Sequence, residues 1–124
     1  GVDVLLPVGG PIYQSALQAI KESGRDVALV GVDADLFQTD ESTQDFVLTS
    51  ILKNMDVSTY EAVMSSANGK FDANAYVGTL DNGGVGIAPF HNFEGKVDAA
   101  LVKEVDALKQ EIIDGKVTVK SYLS

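Results

Sequence analysis

At 124 residues the chain is long enough to bury a sizeable core yet supports one domain at most. Its formal net charge of −9 argues against a nucleic-acid or anionic-membrane surface, and the acidity is concentrated in residues 1–62, which carry ten acidic and three basic side chains against eight and six in residues 63–124. With no cysteine there is no disulfide framework, thiolate nucleophile or Cys-based zinc site. No apolar stretch approaches the roughly 20 residues of a membrane span. The chain opens at Gly1, directly on a hydrophobic run, as expected of a processed or excised piece of something longer.

Val2 to Val8 is mostly apolar and bounded by Gly9-Gly10, the look of a strand buried on both faces that Pro7 ends near Leu6. Pro11 suits the first position of a helix, Ile12, Ala16, Ala19 and Ile20 recur at helical spacing, and Gly24 is placed to close it. Val27–Val32 reads as the next strand, and a right-handed crossover makes it parallel to the first. Residues 33–45 read as a long polar loop, of a length that is usually functional or mobile. Phe46–Leu52 resumes strand character. The helix that follows has two possible starts, Asp56 as N-cap or Ser58 with Glu61 as a capping box. Tyr60, Val63, Met64 and Ala67 give it an apolar stripe, and Asn68-Gly69 stop it. Tyr76–Leu80 and Val85–Ala88 read as short strands around Asp81-Asn82-Gly83-Gly84, a hairpin-like or hinge segment. The clearest helix runs from Lys96 to Asp114 and is closed by Gly115, with Val97, Ala100, Leu101, Val105, Leu108 and Ile112 on one face. Val117–Val119 forms an apolar tail. The order of elements specifies an α/β domain.

The chemistry-bearing residues cluster at strand ends. One run delivers Asp33 and the next delivers Lys53, and ligands of open α/β sheets gather just beyond such ends. An ionised aspartate accepts two hydroxyls at once, so it suits a vicinal diol. An acid and a base so placed fit a hydroxyl-rich polar ligand better than catalysis. The plainer alternatives are a solvated carboxylate or Asx turn for Asp33 and Asp35, and a solvated surface lysine for Lys53. Gly9-Gly10 serves either as a tight turn or as a place where a ligand approaches amides at a helix start. Neither G-x-G-x-x-G nor a Walker A sequence is present. His91, the sole histidine, has neither metal-ligand spacing around it nor a nucleophile elbow. Asp40-Glu41 and Asp45 lack the spacing of a calcium loop. With no catalytic, metal or cofactor set, the chain reads as a binding protein and not an enzyme. A receiver-like signalling domain is the competing class, because Asp33, Thr49 and Lys53 superficially fit one. The acidic pair needed to hold magnesium is missing after the first strand.

Three segments carry a family resemblance: Ala28-Leu29-Val30-Gly31-Val32-Asp33-Ala34-Asp35, then Leu48-Thr49-Ser50-Ile51-Leu52-Lys53-Asn54-Met55-Asp56-Val57, and the closing helix with Ile112-Ile113-Asp114-Gly115-Lys116-Val117. Their order and spacing, with Gly9-Gly10 ahead of the first helix, resemble the C-terminal portion of the basic membrane protein family. These are substrate-binding lipoproteins of ABC transporters that include the purine nucleoside receptors. The resemblance implies a type I periplasmic-binding-protein fold, two α/β lobes of parallel sheets flanked by helices, with ligand in the cleft. It makes residues 1–124 a C-terminal-lobe fragment, with about 54–84 crossing the hinge toward an N-terminal lobe missing here and Val85–Phe90 returning. It places the ribose-binding carboxylate on Asp33, the ribose-binding lysine on Lys53, and the glycine pair near the ligand on Gly9 and Gly10. It implies an extracytoplasmic receptor that takes no cofactor and no nucleic acid, anchored to the bacterial cell membrane as a lipoprotein and delivering a purine nucleoside to a permease. A sugar-binding transcription-regulator core of the same fold is the alternative within that architecture.

Overall fold

The computed structural model describes residues 1–120. Four strands form one sheet in the order β1-β2-β3-β4: β1 (Val4–Leu5), β2 (Ala28–Asp33), β3 (Val47–Lys53) and β4 (Val85–Ile87). The first three are parallel, with Val4 opposite Ala28 and Asp33 opposite Leu52, as the βαβ pattern of the sequence requires. β4 joins the edge of β3 antiparallel, with Val85 opposite Lys53.

Helix α1 (Tyr13–Ser23) connects β1 to β2, entered through a 3-10 turn that holds Pro11 and ended by Gly24 in the left-handed conformation at φ 61°. Its buried face, Leu17 and Ile20, meets the sheet. Ile20, Val27, Leu29, Leu36 and Val47 form the core cluster, with Leu5, Tyr13, Ala16, Phe37 and Phe46 packed around it. Val27, Leu29 and Val47 come from the apolar runs that the sequence marks as strands, Ile20 comes from α1 and Leu36 from the segment after β2.

Five readings of the sequence change. The first strand is not buried on both faces: β1 is two residues long at the edge of the sheet, and Val2, Val4, Leu6 and Val8 are exposed. Residues 33–45 are not an unstructured loop: they hold a short helix, α2 (Leu36–Thr39), and a 3-10 turn over Glu41–Thr43. Each is started by an aspartate, Asp35 accepting from the Phe37 amide at 3.2 Å and Asp40 from the Ser42 amide at 3.0 Å. Helix α3 (Met55–Ala67) begins ahead of both expected caps. Its start is fixed from outside, because the Asn54 side chain donates to the Gly83 carbonyl at 2.7 Å and the Asn54 amide to the Gly84 carbonyl at 3.0 Å. Tyr76–Leu80 is not a strand. Asn82 folds it into a turn instead, its Oδ1 accepting from the Thr79 and Gly84 amides and its Nδ2 donating to the Val77 carbonyl. Helix α4 (Ala99–Ile113) starts three residues after Lys96, where the Asp98 carboxylate accepts from the Ala100 amide at 2.8 Å.

Among the described residues no helix is long and apolar enough to cross a membrane. Neither α3 nor α4 has a fully buried residue.

Candidate functional site

Because β1, β2 and β3 run parallel, their C-terminal ends open on one edge of the sheet. Gly9-Gly10 follows β1, Asp33 is the last residue of β2 and Lys53 is the last residue of β3. The Lys53 ammonium lies 3.1 Å from Oδ1 of Asp33, and the two side chains are 69% and 47% exposed. Such an exposed pair contributes about 0–1 kcal/mol to stability, so it does little to hold the fold together. Its chemistry is complementary: the carboxylate only accepts and the ammonium only donates. A hydroxyl between them can donate to one and accept from the other, and two adjacent hydroxyls can share the carboxylate.

The backbone at this edge is unusual. Asp33 has φ 74°, in the left-handed region that a non-glycine residue rarely adopts. Gly9 and Gly10 have φ 144° and 53°, and a Cβ placed on Gly10 would meet nothing within 4 Å, so the peptide is open to approach. A pocket of about 300 Å³ opens beside Lys53, walled in part by Met55, Ser58 and Tyr76. The larger groove, about 640 Å³, lies between α3 and residues 72–82 and involves neither Asp33 nor Lys53.

Residues 1–122 match the family described as ABC transporter substrate-binding protein PnrA-like, Bmp. The chain belongs to this PnrA-like family. Its fold is shared with a solute-binding protein of an ABC transporter system from Aeropyrum pernix K1, at TM-score 0.76 and 23% identity over 98% of this chain and 42% of that one. A solute-binding protein from Conexibacter woesei DSM 14684 aligns at TM-score 0.70 and 19% identity, over 97% of this chain and 38% of that one. A transcriptional activator of the comK gene from Bacillus halodurans gives TM-score 0.76 and 18% identity, over 96% of this chain and 39% of that one. At these identities the likeness establishes the shared α/β fold and nothing finer. The chain spans about two-fifths of the length of these structures. No curated sequence matches it.

Away from this edge, two residues of this PnrA-like chain matter more than their sequence context indicated. His91 is not an isolated histidine: its Nε2 lies 2.9 Å from Oδ2 of Asp35, and both side chains are largely shielded from solvent. Its ring stacks on Phe37 at a centroid distance of 4.0 Å and an angle of 8°. The partner is 56 positions away, so no local pattern could reveal the pair. Ser50 is fully buried on β3, where its Oγ accepts from the Leu36 amide at 3.1 Å. Thr49, by contrast, gives its hydroxyl to the Ala88 carbonyl at 2.6 Å, which leaves the receiver-like trio with Asp33 and Lys53 unassembled. Among the described residues no group of three His, Cys, Asp or Glu side chains could hold a metal ion.

Proposed function

We propose that this chain is part of a non-catalytic, extracytoplasmic solute receptor of an ABC importer, and that its ligand is a purine nucleoside. Asp33 accepts both hydroxyls of the ribose diol, Lys53 donates to the same oxygens, and the peptides at Gly9 and Gly10 border the sugar. In the full-length protein the receptor is anchored to the cell membrane as a lipoprotein and hands its ligand to a permease. The chain supplies part of the C-terminal lobe. Residues 54–84 pass through the hinge, and the N-terminal lobe covers the apolar side of α3 and contributes the groups that read the base.

One observation carries this reading: in a member of the PnrA-like family, an exposed carboxylate–ammonium pair stands at the C-terminal edge of the parallel strands, 3.1 Å apart. Its small value for stability is consistent with a role in ligand recognition. Calorimetric titration of the full-length protein with adenosine, guanosine and inosine tests it, with free ribose and free bases as comparators. Nucleosides are expected to bind and free bases to bind far more weakly. A folded protein with no affinity for any nucleoside overturns the proposal.

A further inference from the structure

We propose that His91 is a positioning residue for Asp33, acting through Asp35; the inference rests on the nucleoside-binding reading above. Asp33 leaves β2 in a left-handed backbone conformation, φ 74°, which costs less for aspartate than for most L-residues and is held by the chain on both sides. On one side it is fixed by the ladder to β3, with Asp33 opposite Leu52. On the other side only Ala34 separates Asp33 from Asp35, whose carboxylate is held at both oxygens. Oδ1 accepts from the Phe37 amide at 3.2 Å, whereas Oδ2 accepts from the Gln38 side chain at 3.0 Å and meets His91 Nε2 at 2.9 Å.

The bonds to Phe37 and Gln38 are local and travel with α2. Of the described groups that bond the Asp35 carboxylate, His91 is the one from a distant part of the chain, and it acts beside the Ser50 hydroxyl on β3 that holds the Leu36 amide at 3.1 Å. It follows β4, in a segment tied to β3 where the Ala88 amide donates to the Ser50 carbonyl at 2.8 Å, and to the far end of the α2 region where Asn92 donates to the Gln44 carbonyl at 3.2 Å. The two pairs divide the work by exposure. Asp33 and Lys53 are solvated and free to turn to a ligand, whereas the side chains of His91 and Asp35 are 14% and 13% exposed. In that shielded setting a charge-assisted hydrogen bond is stronger and more rigid than at the surface. Without it, the turn from Asp33 to Asp35 can relax to ordinary extended backbone, carrying the carboxylate out of line with Lys53.

The test uses the full-length protein and separates hydrogen bond, ring stacking and helix cap. His91→Phe keeps an aromatic ring against Phe37 and removes the bond. Asp35→Ser keeps a capping oxygen for α2 but cannot reach His91. His91→Gln restores a nitrogen donor near the position of Nε2 and loses the stacking. With the fold retained by circular dichroism, His91→Phe and Asp35→Ser are each expected to weaken nucleoside binding about tenfold, the scale of one charged hydrogen bond. The double variant is expected to bind no worse than the weaker single one, because both remove the same contact. His91→Gln is expected to regain most of the affinity, which a purely packing role for the ring would not allow. Wild-type affinity in His91→Phe, or His91→Gln binding as poorly as His91→Phe, overturns the inference. If the wild-type protein binds no nucleoside, the functional reading fails by itself. The positioning role is then read from the backbone amide NMR signals of Asp33 and Ala34: displacement in His91→Phe supports it and unchanged signals overturn it.

Discussion

Asp33 stands where glycine would be comfortable: a left-handed conformation costs an L-residue roughly 1–2 kcal/mol, less for aspartate, and its exposed pairing with Lys53 returns little of that. Replacing it therefore separates stability from recognition. Asp33→Gly relieves the backbone and adds back chain entropy, so the stability measured by denaturant unfolding is expected to stay within about 1 kcal/mol of wild type. Ligand affinity in the same full-length variant is expected to fall by roughly 1.5–3 kcal/mol, the value of a hydrogen-bonded charged contact. A variant that unfolds readily, or one that binds normally, would make Asp33 a structural residue. A second site on the acidic half has the opposite character. Ser42 donates to Oδ1 of Asp40 through its hydroxyl at 2.7 Å and its amide at 3.0 Å, and the Tyr13 hydroxyl donates to Oδ2 at 3.0 Å. The Ser42 hydroxyl first, then Tyr13, hold the Asp40 carboxyl below its usual value, and the carboxylate in turn raises the Tyr13 phenol above its own. A lowered carboxyl pKa means that this stabilisation is complete above the unfolded carboxylate value near 4 and disappears as pH falls through the folded one. Stability curves of wild type and Asp40→Asn should thus differ at neutral pH and converge below about pH 4. Curves that stay parallel across that range would deny Asp40 any such role.

At the scale of elements, α2 shows how a four-residue helix can be specified by tertiary contacts. Its first amides are satisfied by two different side chains, Asp35 for Phe37 and the buried Ser50 for Leu36. Leu36 lies in the core, and Gly31 makes room for it: a Cβ at Gly31 would run into Ser50 Oγ and come within 2.8 Å of Leu36 Cγ. Ser50→Ala, which strands the buried Leu36 amide, is expected to destabilise by about 1–3 kcal/mol. Gly31→Ala should destabilise by a similar amount through overpacking, about 1–3 kcal/mol. Denaturant melts measure both, and a change under half a kcal/mol in either would show that α2 shifts freely on the sheet. These contacts explain what the sequence could and could not disclose. β2, β3 and α1 were legible because apolar runs and the Pro11 and Gly24 punctuation are local signals. Asp33 and Lys53 were legible as strand-end residues for the same reason. α2 was not, since four residues cannot display a helical period. The misreading of Tyr76–Leu80 as a strand has a related cause: a short run ahead of a glycine-rich turn suggests pairing, but the hydrogen bonds go to the side chain of Asn82. His91 was passed over because its meaning depends on a carboxylate 56 positions away.

At the scale of the whole molecule, burial is lopsided. Apart from Ala88, every buried hydrophobic side chain among the described residues lies between Leu17 and Val47. The helices after β3 display apolar surface: Met55 and Tyr60 on α3 are each 62% exposed and Val63 59%, while Leu101 and Leu108 on α4 are 50% and 47% exposed. Helices of 13 and 15 residues are marginal in water unless an apolar face is packed. The stripe read from the sequence of α3 is thus real as a pattern, and Tyr60, Val63 and Met64 remain exposed among the described residues. The solved structures that share the fold are more than twice as long, which agrees with the proposed first lobe as the missing cover. Hydrogen exchange offers a direct comparison between this 124-residue chain and the full-length protein. In the isolated chain, amides of β2 and β3 are expected to be protected and those of α3 to exchange close to the unfolded rate. In the full-length protein α3 is expected to gain protection of at least about tenfold, corresponding to some 1.4 kcal/mol of packing. Nucleoside affinity should follow the same comparison, because in the proposed reading Asp33 and Lys53 meet only the sugar and leave the base in water. Equal protection of α3 in both proteins would mean that its exposed face is simply tolerated. A nucleoside bound as tightly by the isolated chain would mean that the site is complete on one lobe.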